Sequence, residues 1–191
     1  YRASGVDISA GMLERAKQRL PDVEFVQADI REYRANRQYD AVISAYNSLV
    51  HLVTPEDLLR ALKNVLSMLN GNGVFIFDLY SEEAYRRRWR GSFSKVDAHF
   101  ACIVRASYDP ALRLGENLAT IFYENHEHAQ TPGNSWTRAD VHIVSRCYAD
   151  SELTDIVHRA GFDSIECFEA ASQLGLNSAA GRVFWRCRAH P

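Results

Sequence analysis

No apolar run in these 191 residues approaches the roughly 18–20 residues of a membrane span, so no bilayer-crossing helix is expected. Charge of one sign is lacking as well. The 22 Lys and Arg nearly balance the 24 Asp and Glu, and a formal charge of −2 gives no global pull towards nucleic acid or an anionic membrane. The four cysteines, Cys102, Cys147, Cys167 and Cys187, form no C-x-x-C pair and fall in stretches that read as strands. Small buried hydrophobes in a reducing compartment are therefore expected, in place of disulfides or a metal site. There are no internal repeats, no low-complexity tract and no linker long enough to divide the chain. Together these absences lead us to expect one soluble, cytoplasmic domain over residues 1–191 that takes neither nucleic acid nor membrane as partner. They carry no signal for an oligomeric state. An initiator methionine is also lacking, and residues 3–7 already read as the end of a buried strand.

What is present in the first half alternates regularly. A strand ends over residues 5–8, Ser9 is an N-cap, and Met12, Leu13, Ala16 and Leu20 have helical spacing over 10–20. Residues 23–27 form a short β-branched and aromatic run. Residues 39–45 are continuously apolar apart from their ends, which fits a strand covered on both faces. Thr54-Pro55-Glu56-Asp57 starts a helix with a cap, a first-turn proline and acids at the positive end of the dipole. That helix is expected to reach about Leu69 and stop at Gly71-Asn72-Gly73, ahead of a buried strand over 74–79. Strand–helix–strand repetition of this kind predicts an α/β, Rossmann-like and mostly parallel sheet with helices on both faces.

From residue 93 to 148 the pattern becomes alternating and strand-like, over 98–108, 113–124 and 138–147. Turn signals lie at Asp109-Pro110 and Thr131-Pro132-Gly133-Asn134. This predicts an antiparallel β insertion over one end of the sheet. Asp150 or Ser151 then caps a helix to Ala160, Gly161 ends it, and 162–169 and 182–188 read as a closing antiparallel pair at a sheet edge.

Three strand ends carry polar chemistry. Val6-Asp7-Ile8-Ser9 places an acid at the C-terminal end of a strand, where open α/β sheets bind ligands and where a carboxylate can accept both hydroxyls of a ribose. The competing reading of Asp7 is a loop aspartate capping the next helix. Val26-Gln27-Ala28-Asp29-Ile30 repeats the arrangement one unit later; Asp29 can accept from an exocyclic adenine amine while Ile30 covers the ring. The strand over 39–45 delivers Ala45 and Tyr46 to the same edge, followed by Asn47 and His51 as candidates for holding a polar substrate. Two other features are set aside. Arg86-Arg87-Arg88-Trp89-Arg90 reads as a solvated helix face, and His126-Glu127-His128, with His142 nearby, reads as strand residues without a defined third metal ligand.

The order V-D-I-S, a helix with Met12-Leu13, Q-A-D-I, Y-D-A-V-I-S, a helix ending in G-N-G, and V-F-I-F-D-L resembles class I methyltransferases from their second motif onward. The resemblance covers residues 4 to about 80 and resumes over 150–168. Asn47-Ser48-x-x-His51-Leu52 and Ala61-Leu62-Lys63-Asn64 are similar to a stretch of glycine and sarcosine N-methyltransferases. It implies S-adenosyl-L-methionine as cofactor, held by Asp7, Ile8, Asp29, Ile30, Ala45 and Tyr46. Asn47, His51 and Tyr80 would face a small-molecule methyl acceptor, and the insertion would be a substrate cover. Transfer to nitrogen or oxygen needs alignment more than a conspicuous catalytic residue, and none is assigned. The family's first strand and glycine loop are missing from residues 1–191, so we expect a fragment that binds cofactor weakly. Two other functions are kept in view. A non-catalytic binding module of the same fold is one. A nicotinamide-dependent dehydrogenase is the other, although the sequence lacks a Tyr-x-x-x-Lys pair.

Overall fold

The computed structural model describes residues 2–124 and 136–188. His126-Glu127-His128 and the turn expected at Thr131-Pro132-Gly133-Asn134 lie outside the described residues. The chain begins with β1 (Ser4–Asp7), α1 (Ala10–Arg19) and β2 (Glu24–Gln27), with β1 and β2 paired in parallel. Next come β3 (Tyr39–Ser44), a 3-10 turn over Ser48–His51, α2 (Pro55–Met68) and β4 (Leu69–Tyr80). The helix α3 (Glu82–Arg88) leads into β5 (Gly91–Val96), β6 (Phe100–Asp109), β7 (Leu114–Glu124) and β8 (Trp136–Arg146). The chain closes through α4 (Asp150–Ala160), β9 (Ser164–Glu169) and β10 (Arg182–Arg188).

The central sheet has the order β3-β4-β10-β9. β3 runs parallel to β4, and β10 lies antiparallel to both β4 and β9. Three of its four strands therefore share a direction and only the last in sequence opposes them, as expected. A parallel final strand would have favoured a dehydrogenase-like fold. Phe75, Phe77 and Leu79 of β4 and Trp185 and Cys187 of β10 face Leu58, Leu62 and Val65 of α2 and Leu153, Ile156 and Val157 of α4. Phe77 stacks on Trp185 and Phe75 on Phe162. Burial of these side chains, at roughly 1.5–3 kcal/mol each, is the main force holding the body. The capping signals act as read: Thr54 Oγ1 accepts the Asp57 amide, and Gly161 takes a left-handed φ of 105° to end α4.

Several expectations change. The central sheet carries α2 and α4 on one face, while on the other Ile43 is 68% exposed, so a doubly covered β3 is not observed. The helix α2 ends at Met68 with Leu69 as its C-cap, as expected, but Gly71-Asn72-Gly73 are not its stop. Those residues lie in β4, where pairing jumps from Tyr39 with Leu69 to Ala41 with Val74, so they form a bulge. Ala149, not Asp150 or Ser151, is the N-cap of α4, and it makes no side-chain cap bond. Of the apolar positions on α1 only Leu13 is buried; Met12 and Leu20 are exposed, because two short strands are too narrow a platform to cover them. The cysteines form no disulfides, but only Cys147 and Cys187 are buried, whereas Cys167 is exposed.

The β1–β2 pair and the central sheet are separate sheets. Neither β1 nor β3 has a strand partner on its other side among the described residues. The starts of the two strands are nevertheless close, since Ser4 Oγ lies 2.7 Å from the Tyr39 hydroxyl. The insertion has four antiparallel strands in sequential order, one more than anticipated, because β5 begins at Gly91. Tyr85 and Trp89 fix it to the body. Their rings stack 4.2 Å apart, and a Cβ added at Gly115 of β7 would approach both to 2.7 Å. Only glycine fits there.

Candidate functional site

β1 and β2 are parallel, so Asp7 and Asp29 follow strand ends on the same side. β3 starts beside β1 through the Ser4–Tyr39 contact. Past its far end, Arg31 Nη1 reaches Asp57 at 3.0 Å on the first turn of α2 while also holding Asp29. The structure thereby brings Asp7, Asp29 and the loop of Ala45, Tyr46 and Asn47 to one edge.

Asp7 is exposed, and its Oδ1 accepts the Ser9 amide at 2.7 Å, so this acid does shape the entry to α1. The cap itself is Ser9, whose hydroxyl accepts the Met12 amide. Asp7 Oδ2 makes no hydrogen bond among the described residues. Ile8 is exposed beside it. Asp29 is differently placed. Arg31 donates to it from the backbone amide at 2.9 Å and from Nε at 3.0 Å to each oxygen, with Nη2 on Oδ2 as well. Arg31 also holds the Asp29 carboxyl below the usual carboxylate range, the side-chain hydrogen bond being the largest cause. Ile30 packs against the main core cluster, which leaves less of it for a ring.

The loop after β3 has an unusual backbone. Tyr46 and Asn47 both have φ of 62°, the left-handed region that non-glycine residues seldom occupy. The Tyr46 amide donates to Asp78 Oδ1 at 2.7 Å and the Asn47 amide to Asp78 Oδ2 at 3.1 Å. Asp78 is 0% exposed, and its third partner is Arg182, whose Nε donates to Oδ2 at 2.8 Å. The Arg182 guanidinium stands 4.9 Å over the Tyr46 ring and 5.8 Å over that of Tyr80. Asn47 is buried, with Oδ1 accepting the Tyr80 amide at 3.0 Å, so much of its side chain serves the fold. Ser48 Oγ donates to the Ala45 carbonyl. His51 is exposed, and its Nδ1 lies 3.2 Å from the Val144 carbonyl of the insertion. It links the turn after β3 to β8.

Asp78 and Arg182 are the residues that sequence reading missed. A signal existed for Asp78, a lone charge inside the apolar run Val74-Phe75-Ile76-Phe77-Asp78-Leu79. Nothing local pointed to Arg182, 104 residues away along the chain. Across the edge, the helix α3 bears the run of arginines, exposed and paired within the helix as Arg86 with Glu82 and Arg87 with Glu83. That is the solvated face expected. No group of three metal-ligating side chains occurs among the described residues, and no helix among them is long and apolar enough to cross a membrane.

Residues 1–73 match the methyltransferase domain family. Over 169 residues the chain is 27% identical to the dTDP-3-amino-3,4,6-trideoxy-alpha-D-glucopyranose N,N-dimethyltransferase of Streptomyces venezuelae; this covers 84% of the chain and 62% of that relative. The chain thus spans about three fifths of the relative's length. A solved S-adenosylmethionine-dependent methyltransferase from Clostridium acetobutylicum superposes with a TM-score of 0.81 at 18% identity, covering 100% of this chain and 76% of the other. The sugar N-methyltransferase KedS8 from a Streptoalloteichus species gives 0.74 at 16% identity, covering 99% and 71%. Residues 1–73 thus match a methyltransferase domain, and the whole chain has the Rossmann-like fold of solved S-adenosylmethionine-dependent methyltransferases.

Proposed function

We propose that this protein transfers a methyl group from S-adenosyl-L-methionine to a nitrogen or oxygen of a small molecule, with the amine of an amino sugar as the first acceptor to test. The observation that carries this reading is the convergence of Asp7, Asp29 and the Tyr46 loop at one edge of the parallel strands. The acceptor class follows from a relative named for a 3-amino sugar and a structural neighbour named a sugar N-methyltransferase.

The residues present fit the nucleoside end of such a cofactor. Asp7 has an oxygen to offer a ribose, and Tyr46 offers an exposed ring face. Asp29 can meet an adenine amine only by sharing a carboxylate that Arg31 already occupies. When bound, the cofactor supplies an electrophilic methyl group on a sulfonium. The chain's contribution is alignment and exclusion of water, so no residue need take the proton of an acceptor that arrives as a neutral amine. In this reading Tyr80 and His51 would orient the acceptor and the insertion would cover it; the His51 contact with Val144 of β8 supports this by joining the loop to the insertion.

The reading extends to the open edges of β1 and β3. A strand carrying a glycine loop would satisfy both edges and complete the wall at the sulfonium end. Calorimetric titration with S-adenosylhomocysteine tests the whole reading: weak binding by residues 1–191, and binding at least tenfold tighter by a version with such a strand added. Radiolabelled methyl transfer to amino sugars then tests the acceptor. No binding by either version would sink the proposal.

A further inference from the structure

We propose that Asp78 and Arg182 are positioning residues: they hold the Tyr46–Asn47 turn in its left-handed form and so present the Tyr46 ring to a ligand. The inference rests on reading this edge as the methyltransferase site. Among the described residues only Tyr46, Asn47 and Arg113 have positive φ without being glycine, and Tyr46 and Asn47 are consecutive. Strain of this kind persists where the surroundings over-determine it. Here one carboxylate does so, with an oxygen on each of the two amides. Its remaining capacity is taken by Arg182, which reaches across from the first residue of β10.

The register places all four participants on one face. Arg182 is opposite Tyr80 and Phe184 opposite Asp78, so Asp78, Tyr80, Arg182 and Phe184 share the face that α2 and α4 leave uncovered. The guanidinium lies 4.9 Å from the Tyr46 ring centre and 5.8 Å from each of Tyr80 and Phe184. It thus acts on the turn twice, through the carboxylate that binds the amides and directly through the ring of Tyr46.

A structural role alone accounts poorly for this arrangement. A buried ion pair is seldom more stabilising than apolar side chains of the same volume. Tyr46, which the apparatus orients, is 85% exposed, so the core gains little from fixing it. An immobilised aromatic with a free face, at the strand ends where open α/β sheets bind ligands, suits a stacking contact with cofactor or acceptor.

The test compares wild type with Arg182→Met, Arg182→Lys and Tyr46→Ala, measuring amide exchange at residues 46 and 47 together with affinity for S-adenosylhomocysteine. Arg182→Met is expected to speed both amides at least tenfold and to weaken the ligand at least tenfold, with helix content unchanged. Arg182→Lys keeps the charge and recovers part of both losses. Tyr46→Ala removes the ring contact with Arg182 but keeps both amide bonds to Asp78, so the residue 47 amide speeds far less than in Arg182→Met while the ligand weakens at least as much. Should Arg182→Met fail to fold, Asp78→Asn with Arg182→Met leaves no unpaired buried charge and is expected to show the same two losses. Unchanged exchange in a folded Arg182 variant, or unchanged affinity in Tyr46→Ala, overturns the proposal. Absence of binding by wild type rejects the functional reading instead, and exchange alone then decides whether Arg182 holds the turn.

Discussion

Helices α1 and α2 carry similar local signals and meet different surroundings. Each has a side-chain N-cap, Ser9 or Thr54, and each repeats apolar residues at helical spacing. The helix α2 lies across a four-stranded sheet and beside α4, and it buries Leu58, Ala61, Leu62, Val65 and Met68. The helix α1 lies on two four-residue strands; Leu13 is 4% exposed but Met12 is 58% exposed. Capping and periodicity decide that a helix forms. The width of the sheet beneath decides how much of it is buried, and most helical stability in proteins comes from that packing.

The largest effect expected from this difference is in the body. Leu62→Ala should cost about 3–4 kcal/mol, since the side chain is fully buried and its neighbours on β4 and α4 cannot collapse into the space. Leu13→Ala should cost about 2 kcal/mol, because a thin, partly solvated unit relaxes around the loss. Urea midpoints compare the two directly. Hydrogen exchange sharpens the contrast: amides of α1 should open well below the global unfolding energy, and those of α2 only with it. Equal costs, or equal protection, would show that the β1–α1–β2 unit is an integral layer of the body.

A smaller effect concerns the end of α4. Gly161 has φ of 105°, and an added Cβ would meet Leu66 Cδ2 of α2 at 2.8 Å. Gly161→Ala should therefore cost about 1–2 kcal/mol, from left-handed strain and a shift of Leu66. A thermal melt unchanged from wild type would mean that α4 ends elsewhere in solution.

Much of the fold is legible because its signals are local. Ala160 followed by Gly161 marks the end of α4, and alternation over 162–169 and 182–188 anticipates β9 and β10 with their antiparallel pairing. What escaped is short or distant. The seven-residue α3 was legible only as a charged helix face at Arg86–Arg90, and its start escaped, although Ser81 before Glu82 and Glu83 was an available cap signal. β5 is a fully exposed strand without inward-facing alternation, so no pattern distinguishes it from a loop. At the candidate site, Asp7, Asp29 and Tyr46 were visible as residues following strands. Their engagements were not, because Arg31 closes on Asp29 through side-chain geometry and Arg182 meets Asp78 only once β10 inserts beside β4.

The smallest expected effect lies in the tether between the two regions. Arg31 bridges Asp29, just after β2, to Asp57 on the first turn of α2, so the pair fastens the thin unit to the body. Both Arg31 and Asp29 are partly solvated, so solvent screening keeps the contribution of the pair small. The Asp29 carboxyl is held below its ordinary value, chiefly by the side-chain hydrogen bond from Arg31. A carboxyl lowered on folding stabilises fully above its unfolded pKa of about 3.9 and loses that contribution as pH falls through the folded value. Asp29→Asn should then be less stable than wild type near neutrality, with the gap closing as pH drops below about 4. The loss should appear first as faster amide exchange in α1, with α2 unchanged. Urea midpoints across pH measure the closing gap. A deficit that persists undiminished in acid would assign the role of Asp29 to uncharged hydrogen bonding in its turn, and would leave the two regions joined by Ser4 with Tyr39 and by the Asn64 amide on the Ile30 carbonyl.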